Sequence, residues 1–202
     1  MKLGLFGGSF DPIHNGHILP VQEARRRLNL ERVIYLPTAQ PPHKPGQRFA
    51  SACARFAMVE LALLDQPGLY ASDLEMTPGC SAYTVDTVEH FRTTLPEAEL
   101  YLIIGADSFA SFHTWRRWQD LAAAVRLVVM ARPGWRLDQL PPETPPELCA
   151  LAASDRVHLL ENRLLGVSST AIRVTLERGE KPPAGAMPES VLEYIDKYDL
   201  YR

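Results

Sequence analysis

Apolar positions along this chain gather into short continuous runs, separated by longer stretches in which they recur at helical spacing. The runs Leu3–Phe6, Arg32–Leu36, Leu69–Ser72, Glu99–Ile104, Arg126–Met130 and Val157–Leu160 predict strands. Helices are predicted between them, at about His17–Leu28, Ala50–Leu64, Tyr83–Thr94 and Phe109–Leu121. The third shows the pattern plainly, with Tyr83, Val85, Val88 and Phe91 on one face. Two further helices, Ser168–Arg178 and Pro188–Tyr198, close the chain. A Pro-rich loop spans Pro37 to Gly46, and Arg132-Pro133-Gly134 opens a Pro-dense surface excursion to about Pro146. The segment from about 133 to 150 is expected to be a mobile insertion.

Alternation of strands and helices, with strands apolar along their length, predicts an α/β fold: a Rossmann-like, doubly wound parallel sheet with helices on both faces. Its crossovers should be right-handed. A single domain over residues 1–202 is expected, with a small C-terminal helical part from about 166 to 202. In such sheets ligands bind beyond the carboxyl ends of the strands, at the switch point. The loops Gly7–His17, Pro37–Lys44, Gly105–Ser108 and the turn at Arg132 all follow predicted strand ends.

Charge narrows the ligand. The net charge is −3 and the pI about 6.1, so the chain is not a globally basic nucleic-acid binder. A polyanionic ligand would need cations focused at one site. Cys53, Cys80 and Cys149 are odd in number and scattered, which fits reduced thiols better than a disulfide framework. No apolar stretch approaches the roughly 20 residues of a membrane span. A cytoplasmic protein without membrane or nucleic-acid partners is expected, as a monomer or homodimer. No spacing among the histidines, cysteines and acids suggests a protein metal site.

Candidate chemistry begins at the first strand end. Gly7-Gly8-Ser9-Phe10-Asp11-Pro12-Ile13-His14-Asn15-Gly16-His17 is a glycine-rich turn that carries two histidines into a helix start. Glycines let the backbone approach an anion closely, and the helix start offers unpaired N–H groups and a positive dipole end. His14 and His17 can face the same polyphosphate, donating hydrogen bonds where charge develops at a phosphorus under attack. Near the other end, Val167-Ser168-Ser169-Thr170-Ala171-Ile172-Arg173 begins a second helix. Ser168 or Ser169 suits an N-cap, and Arg173 lies about one turn inside, where it could grip a diphosphate or simply face solvent.

Together these motifs, Gly-Ser-Phe-Asp-Pro-x-His-x-Gly-His and Ser-Ser-Thr-x-x-Arg, resemble those of the cytidylyltransferase-like nucleotidyltransferase superfamily. Within it, the chain resembles the bacterial nicotinate-nucleotide adenylyltransferases across essentially its whole length. The narrower likeness rests on Pro41-Pro42-His43-Lys44, Ala82-Tyr83-Thr84, Gly105-Ala106-Asp107-Ser108, Thr114-Trp115, Arg132-Pro133-Gly134 and the closing Tyr194-Ile195 and Leu200-Tyr201-Arg202. The resemblance implies transfer of an adenylyl group from ATP to nicotinate mononucleotide, with Mg²⁺ carried on the ATP and no covalent enzyme intermediate.

It also implies roles. His14, His17 and Arg173 would be catalytic. Gly7, Gly8, Ser9 and Phe10 would meet the nucleotide, Gly105 and Asp107 the adenosine ribose, and Ser168, Ser169 and Arg173 the β,γ-phosphates; Arg132 would also lie on the ATP side. His43, Lys44, Tyr83, Thr84, Trp115 and Arg116 would form the mononucleotide side. A bland reading competes at several positions: Asp107 as a helix N-cap, Trp115 as core packing, His43 and Lys44 as a solvated loop. The chain departs from the family pattern at Pro78, Ala82 and Arg116, all at or near the mononucleotide side. Phosphopantetheine adenylyltransferase and a non-catalytic nucleotide-sensing module are the alternatives.

Overall fold

The structure, a computed structural model, describes residues 1–39, 50–77, 83–131, 134–138, 140–161 and 166–202. Six strands, β1 (Lys2–Gly8), β2 (Arg32–Pro37), β3 (Leu69–Ala71), β4 (Glu99–Gly105), β5 (Arg126–Ala131) and β6 (Val157–Glu161), form one sheet. The order is β3-β2-β1-β4-β5-β6, and every neighbouring pair is parallel. The order reverses between β1 and β4. Their pairing runs from Lys2↔Glu99 to Leu5↔Leu102 and goes no further, while β1 stays paired to β2 as far as Gly8↔Pro37. The strands therefore part at their carboxyl ends, which opens the crevice where such sheets bind ligands.

The helices are α1 (Asn15–Leu28), α2 (Ala52–Leu63), α3 (Thr84–Thr94), α4 (Ala106–Ala110), α5 (Trp118–Ala124), α6 (Pro146–Ala152), α7 (Ser169–Glu177) and α8 (Glu189–Lys197). Period-2 alternation along the strands builds two cores. Phe6, Tyr101, Ile103 and Val128 pack with α1, α2, α7 and α8 on one face. Leu3, Leu5, Leu100, Leu102, Ile104, Leu127 and Val129 pack with α3 to α6 on the other. The expected parallel sheet with helices on both faces is what the chain forms. The C-terminal helices are part of the first core through Ile172, Leu176, Val191 and Ile195.

Two stretches differ from the sequence reading. The single helix expected over Phe109–Leu121 is broken into α4, a 3₁₀ turn at Phe112–Thr114, and α5. Arg117 stands in the left-handed region at φ 51°, so the chain changes direction there rather than continuing the helix. The Pro-dense excursion contains α6. Its Pro146 occupies the first helical turn, where a missing N–H costs nothing, and Leu148 is fully buried against the sheet. The later part of the expected insertion is thus core. A short 3₁₀ turn at Leu74–Met76, unforeseen in the sequence, carries the buried Glu75.

Candidate active site

The histidines of the first loop sit where the dipole argument puts them, with His14 as N-cap of α1 and His17 three residues in. Their rings stack at 3.8 Å between centroids and 28° between planes. The His14 backbone N–H donates to Nδ1 of His17 at 3.3 Å, which leaves the His17 proton on Nε2. The Tyr35 hydroxyl donates to the His17 carbonyl at 3.0 Å, and the Phe10 ring meets the His17 imidazole edge-on at 5.3 Å. Burial lowers the His14 pKa to about 4. Burial first, then the neighbouring His14, pushes His17 well below its ordinary 6.5. Both rings are neutral at pH 7, and a neutral imidazole still offers one N–H donor.

Gly16 makes the stack possible. A Cβ there would fall 2.8 Å from Cε1 and Nδ1 of His14 and 3.6 Å from the Val167 carbonyl oxygen. The same position therefore lets the His14 ring fold over the helix start, while the Val167 carbonyl would remain at an ordinary contact distance. Phe10 has another role than the sequence suggested. Its ring is buried among Phe6, Tyr35 and His17, and its backbone is held at φ 47°, costly for an aromatic residue. It supports His17 from below.

The start of α7 is tied to the same loop. Ser168 is its N-cap, with Oγ accepting from the Ala171 N–H at 3.2 Å. Ser169 Oγ donates to the Pro12 carbonyl at 2.9 Å, and Arg173 donates to the Asp11 carbonyl at 2.6 Å and to Thr170 Oγ1 at 3.3 Å. The Asp11–Pro12 bond between these anchors is cis. Asp11 itself is fully buried. Its Oδ1 accepts from the Ala50 N–H at 3.1 Å and from the Tyr201 hydroxyl at 2.7 Å, and Oδ2 lies 3.7 Å from Arg173. Arg55, also buried, donates to the carbonyls of Ser9 (2.7 Å), Thr38 (2.7 Å), Ala39 (2.9 Å) and Ala50 (3.1 Å). It thereby knits the loops after β1 and β2 to the start of α2. Asp11, Arg55 and Tyr201 fix the site without having stood out as functional residues in the sequence.

Beside this cluster a cavity of about 640 Å³ opens between the ends of β1, β2 and β4. Gly7, Gly8, Ser9, Tyr83, Thr84, Trp115 and Arg116 all line it. A Cβ on Gly7 or Gly105 would meet nothing within 4 Å, so the backbone at both strand ends faces open space. The Arg116 guanidinium lies 4.6 Å from the centre of the Tyr83 ring. Trp115 packs on Phe112 at 5.3 Å while still lining the cavity, so the packing and binding readings of this residue are compatible. Thr84 begins α3, whose N-terminal N–H groups thus border the cavity. Glu75 and Thr87 line it as well, joined by a 2.8 Å bond from the Thr87 hydroxyl.

A match to the cytidylyltransferase-like family model over residues 5–175 covers the histidine loop, the cavity lining and the start of α7. The chain is 43% identical over its full length, and over all of the relative, to a protein of Solibacter usitatus named "Probable nicotinate-nucleotide adenylyltransferase". It is 39% identical to one of the same name from Citrobacter koseri, over 98% of this chain and 97% of the relative. The chain belongs to this family. Its fold is also that of the Plasmodium falciparum nicotinic acid mononucleotide adenylyltransferase complexed with NaAD, at TM-score 0.78 and 16% identity over 99% of this chain and 97% of that one.

Against the expectations for a nicotinate-nucleotide adenylyltransferase, the structure brings the predicted residues into two neighbouring groups. His14, His17, Ser168, Ser169 and Arg173 meet around the starts of α1 and α7. Tyr83, Thr84, Trp115 and Arg116 meet around the cavity, and Gly7 to Ser9 lie between the groups. Asp107 is exposed in the first turn of α4, whose N-cap is Gly105, so the capping explanation of this acid does not hold. Arg132, His43 and Lys44, and the departures Pro78 and Ala82, lie outside the described residues. Among the described residues, no helix is long and apolar enough to cross a membrane and no group of His, Cys, Asp or Glu side chains could hold a metal ion.

Proposed function

We propose that this protein transfers the adenylyl group of ATP to nicotinate mononucleotide, giving nicotinate adenine dinucleotide and pyrophosphate in NAD biosynthesis. One observation supports this most directly: the paired helix starts with their stacked neutral histidines adjoin an aromatic-lined cavity across the glycine turn of β1. That is one site for a triphosphate next to one site for a ring-bearing nucleotide.

The reaction needs little more than placement. A phosphate oxygen of the mononucleotide attacks the α-phosphorus of ATP in line. The new P–O bond forms as the bond to the bridging oxygen of the β-phosphate breaks, and pyrophosphate leaves with that electron pair. A phosphate dianion needs no general base. Nε2–H of His17 and the His14 imidazole donate to the phosphate oxygens as charge builds up, and Arg173 and the start of α7 hold the departing diphosphate. Holding both nucleotides in register supplies much of the rate, since well-oriented reactants can gain on the order of 7–11 kcal/mol. Mg²⁺ arrives as part of the substrate. The ion would stay on ATP phosphate oxygens and keep most of its waters, which calls for no dedicated protein cage.

Trp115 and Tyr83 flank the pyridine ring. The N-terminal N–H groups of α3 and the guanidinium of Arg116 face its carboxylate. Pyrophosphate release with MgATP tests this, offering nicotinate and nicotinamide mononucleotide in parallel. The expected result is release with both substrates present and a large preference for the acid. Comparable rates overturn the acid assignment, and no release with either overturns the reaction.

A further inference from the structure

Glu75 is a buried carboxyl at the inner end of the cavity that the transfer chemistry does not use. It is 6% exposed, against 44% for Tyr83 at the mouth, and it lines the same space as Trp115, Thr84 and Arg116. Its Oε1 accepts from the Thr87 hydroxyl, one turn along α3 from Thr84, and Thr87 is itself 4% exposed. Leu5, Leu36, Leu102 and Ile104 from the strand ends and Leu121 from α5 give the cavity apolar walls, and Thr38 adds an uncharged hydroxyl. Arg116 and Tyr83 are the other ionisable groups lining the cavity among the described residues, and both stand at its mouth. The cavity therefore has opposite polarity at its two ends, a cation outside and an acid inside.

We infer that Glu75 is a specificity-determining residue that reads the positive charge of the pyridinium ring of the mononucleotide. A nicotinate ring is a zwitterion. Its positive charge is spread over the ring, so with the carboxylate toward the start of α3 and Arg116 an ionised acid lining the same cavity attracts the ring through a poorly screening wall, while the ring nitrogen carries the ribose that leads back to the transfer site. The inference rests on the mononucleotide occupying this cavity as proposed above. Burial, partly offset by the Thr87 hydrogen bond, raises the Glu75 pKa to about 7 in the empty site. A bound cation favours the ionised acid, so binding near pH 7 expels a fraction of a proton.

The Glu75→Gln variant isolates the charge, because its amide oxygen can still accept from Thr87. KM for nicotinate mononucleotide at pH 8 is expected to rise about tenfold or more, with KM for ATP unchanged. KM for the 1,4-dihydro form of the same mononucleotide, whose ring is neutral and whose phosphate is identical, should not move. The ratio of wild-type to variant affinity cancels titration of the substrate phosphate and should grow as pH rises through about 7. An unchanged KM for both ring forms, or an equal rise for both, overturns the inference in favour of a packing role. Should the variant fold poorly, calorimetry on the wild type in buffers of different ionisation enthalpy decides. More protons released with the pyridinium than with the dihydro form support the inference, and equal counts overturn it. Failure of the wild type to turn over either mononucleotide would instead strike at the proposed function.

Discussion

At the scale of single residues, burial sets the charge of the groups that matter. His14, with a folded pKa of about 4 against 6.5, favours the neutral state, so acid works against the fold as pH drops from 6.5 toward 4. His17 is shifted in the same direction. In ¹⁵N spectra of the free protein at pH 5.5, both rings should still be neutral, with His17 as the Nε2–H tautomer. A cationic ring at pH 6.5 would defeat the picture of neutral donors. Glu75 has the opposite sign. Its raised pKa means that ionisation opposes folding increasingly from pH 4.5 to about 7 and fully above that. The Glu75→Gln variant, which carries no charge, should gain roughly 3 kcal/mol over the wild type at pH 8, and the difference should vanish below pH 4.5. Urea denaturation at pH 4 and pH 8 measures it.

At the scale of elements, the site depends on how closely two helix starts approach. Gly16→Ala places a methyl group in the His14 ring and must push that ring off the helix start. Displacement by about 1 Å can cost about 100-fold in rate, so kcat should fall by that order while the far-ultraviolet circular dichroism stays unchanged. The strands were legible in the sequence because parallel strands buried on both faces are apolar throughout. The motif loops were legible because glycine, histidine and hydroxyl residues at strand ends and helix starts have local physical reasons to be there. α6 was not, since Pro141, Pro142, Pro145 and Pro146 read as breakers although the last of them starts a helix. The break at Arg117 was also hidden, because nothing in an arginine announces a left-handed backbone. Leu148→Ala tests the status of α6. If the helix is core, the variant loses about 2–5 kcal/mol in chemical denaturation with KM for both substrates unchanged.

At the scale of the whole molecule, the part of the site least legible in sequence is the part held by distant segments. Glu75 finds Thr87 within 12 residues, but Arg55 reaches Ser9 across 46, Arg173 reaches Asp11 across 162, and Tyr201 reaches Asp11 across 190. No local pattern encodes such pairs. Asp11 was visible as a loop residue and invisible as the point where the loop before α2, α7 and the C-terminal segment converge. That convergence makes the histidine loop dependent on residues that never touch substrate. Asp11→Asn leaves the Arg173 guanidinium without its anion in a buried setting and should cost about 3 kcal/mol. Tyr201→Phe removes one hydrogen bond to a charged group and should cost about 1.5–3 kcal/mol. If the carboxylate is a shared node, the two losses cannot add, because the tyrosine bond is worth less once the charge is gone. The double variant should fall short of the sum by about 1 kcal/mol in urea titrations. Additive losses would mean that the C-terminal segment and the histidine loop are stabilised independently, and that Tyr201 packs beside Asp11 without bearing on it.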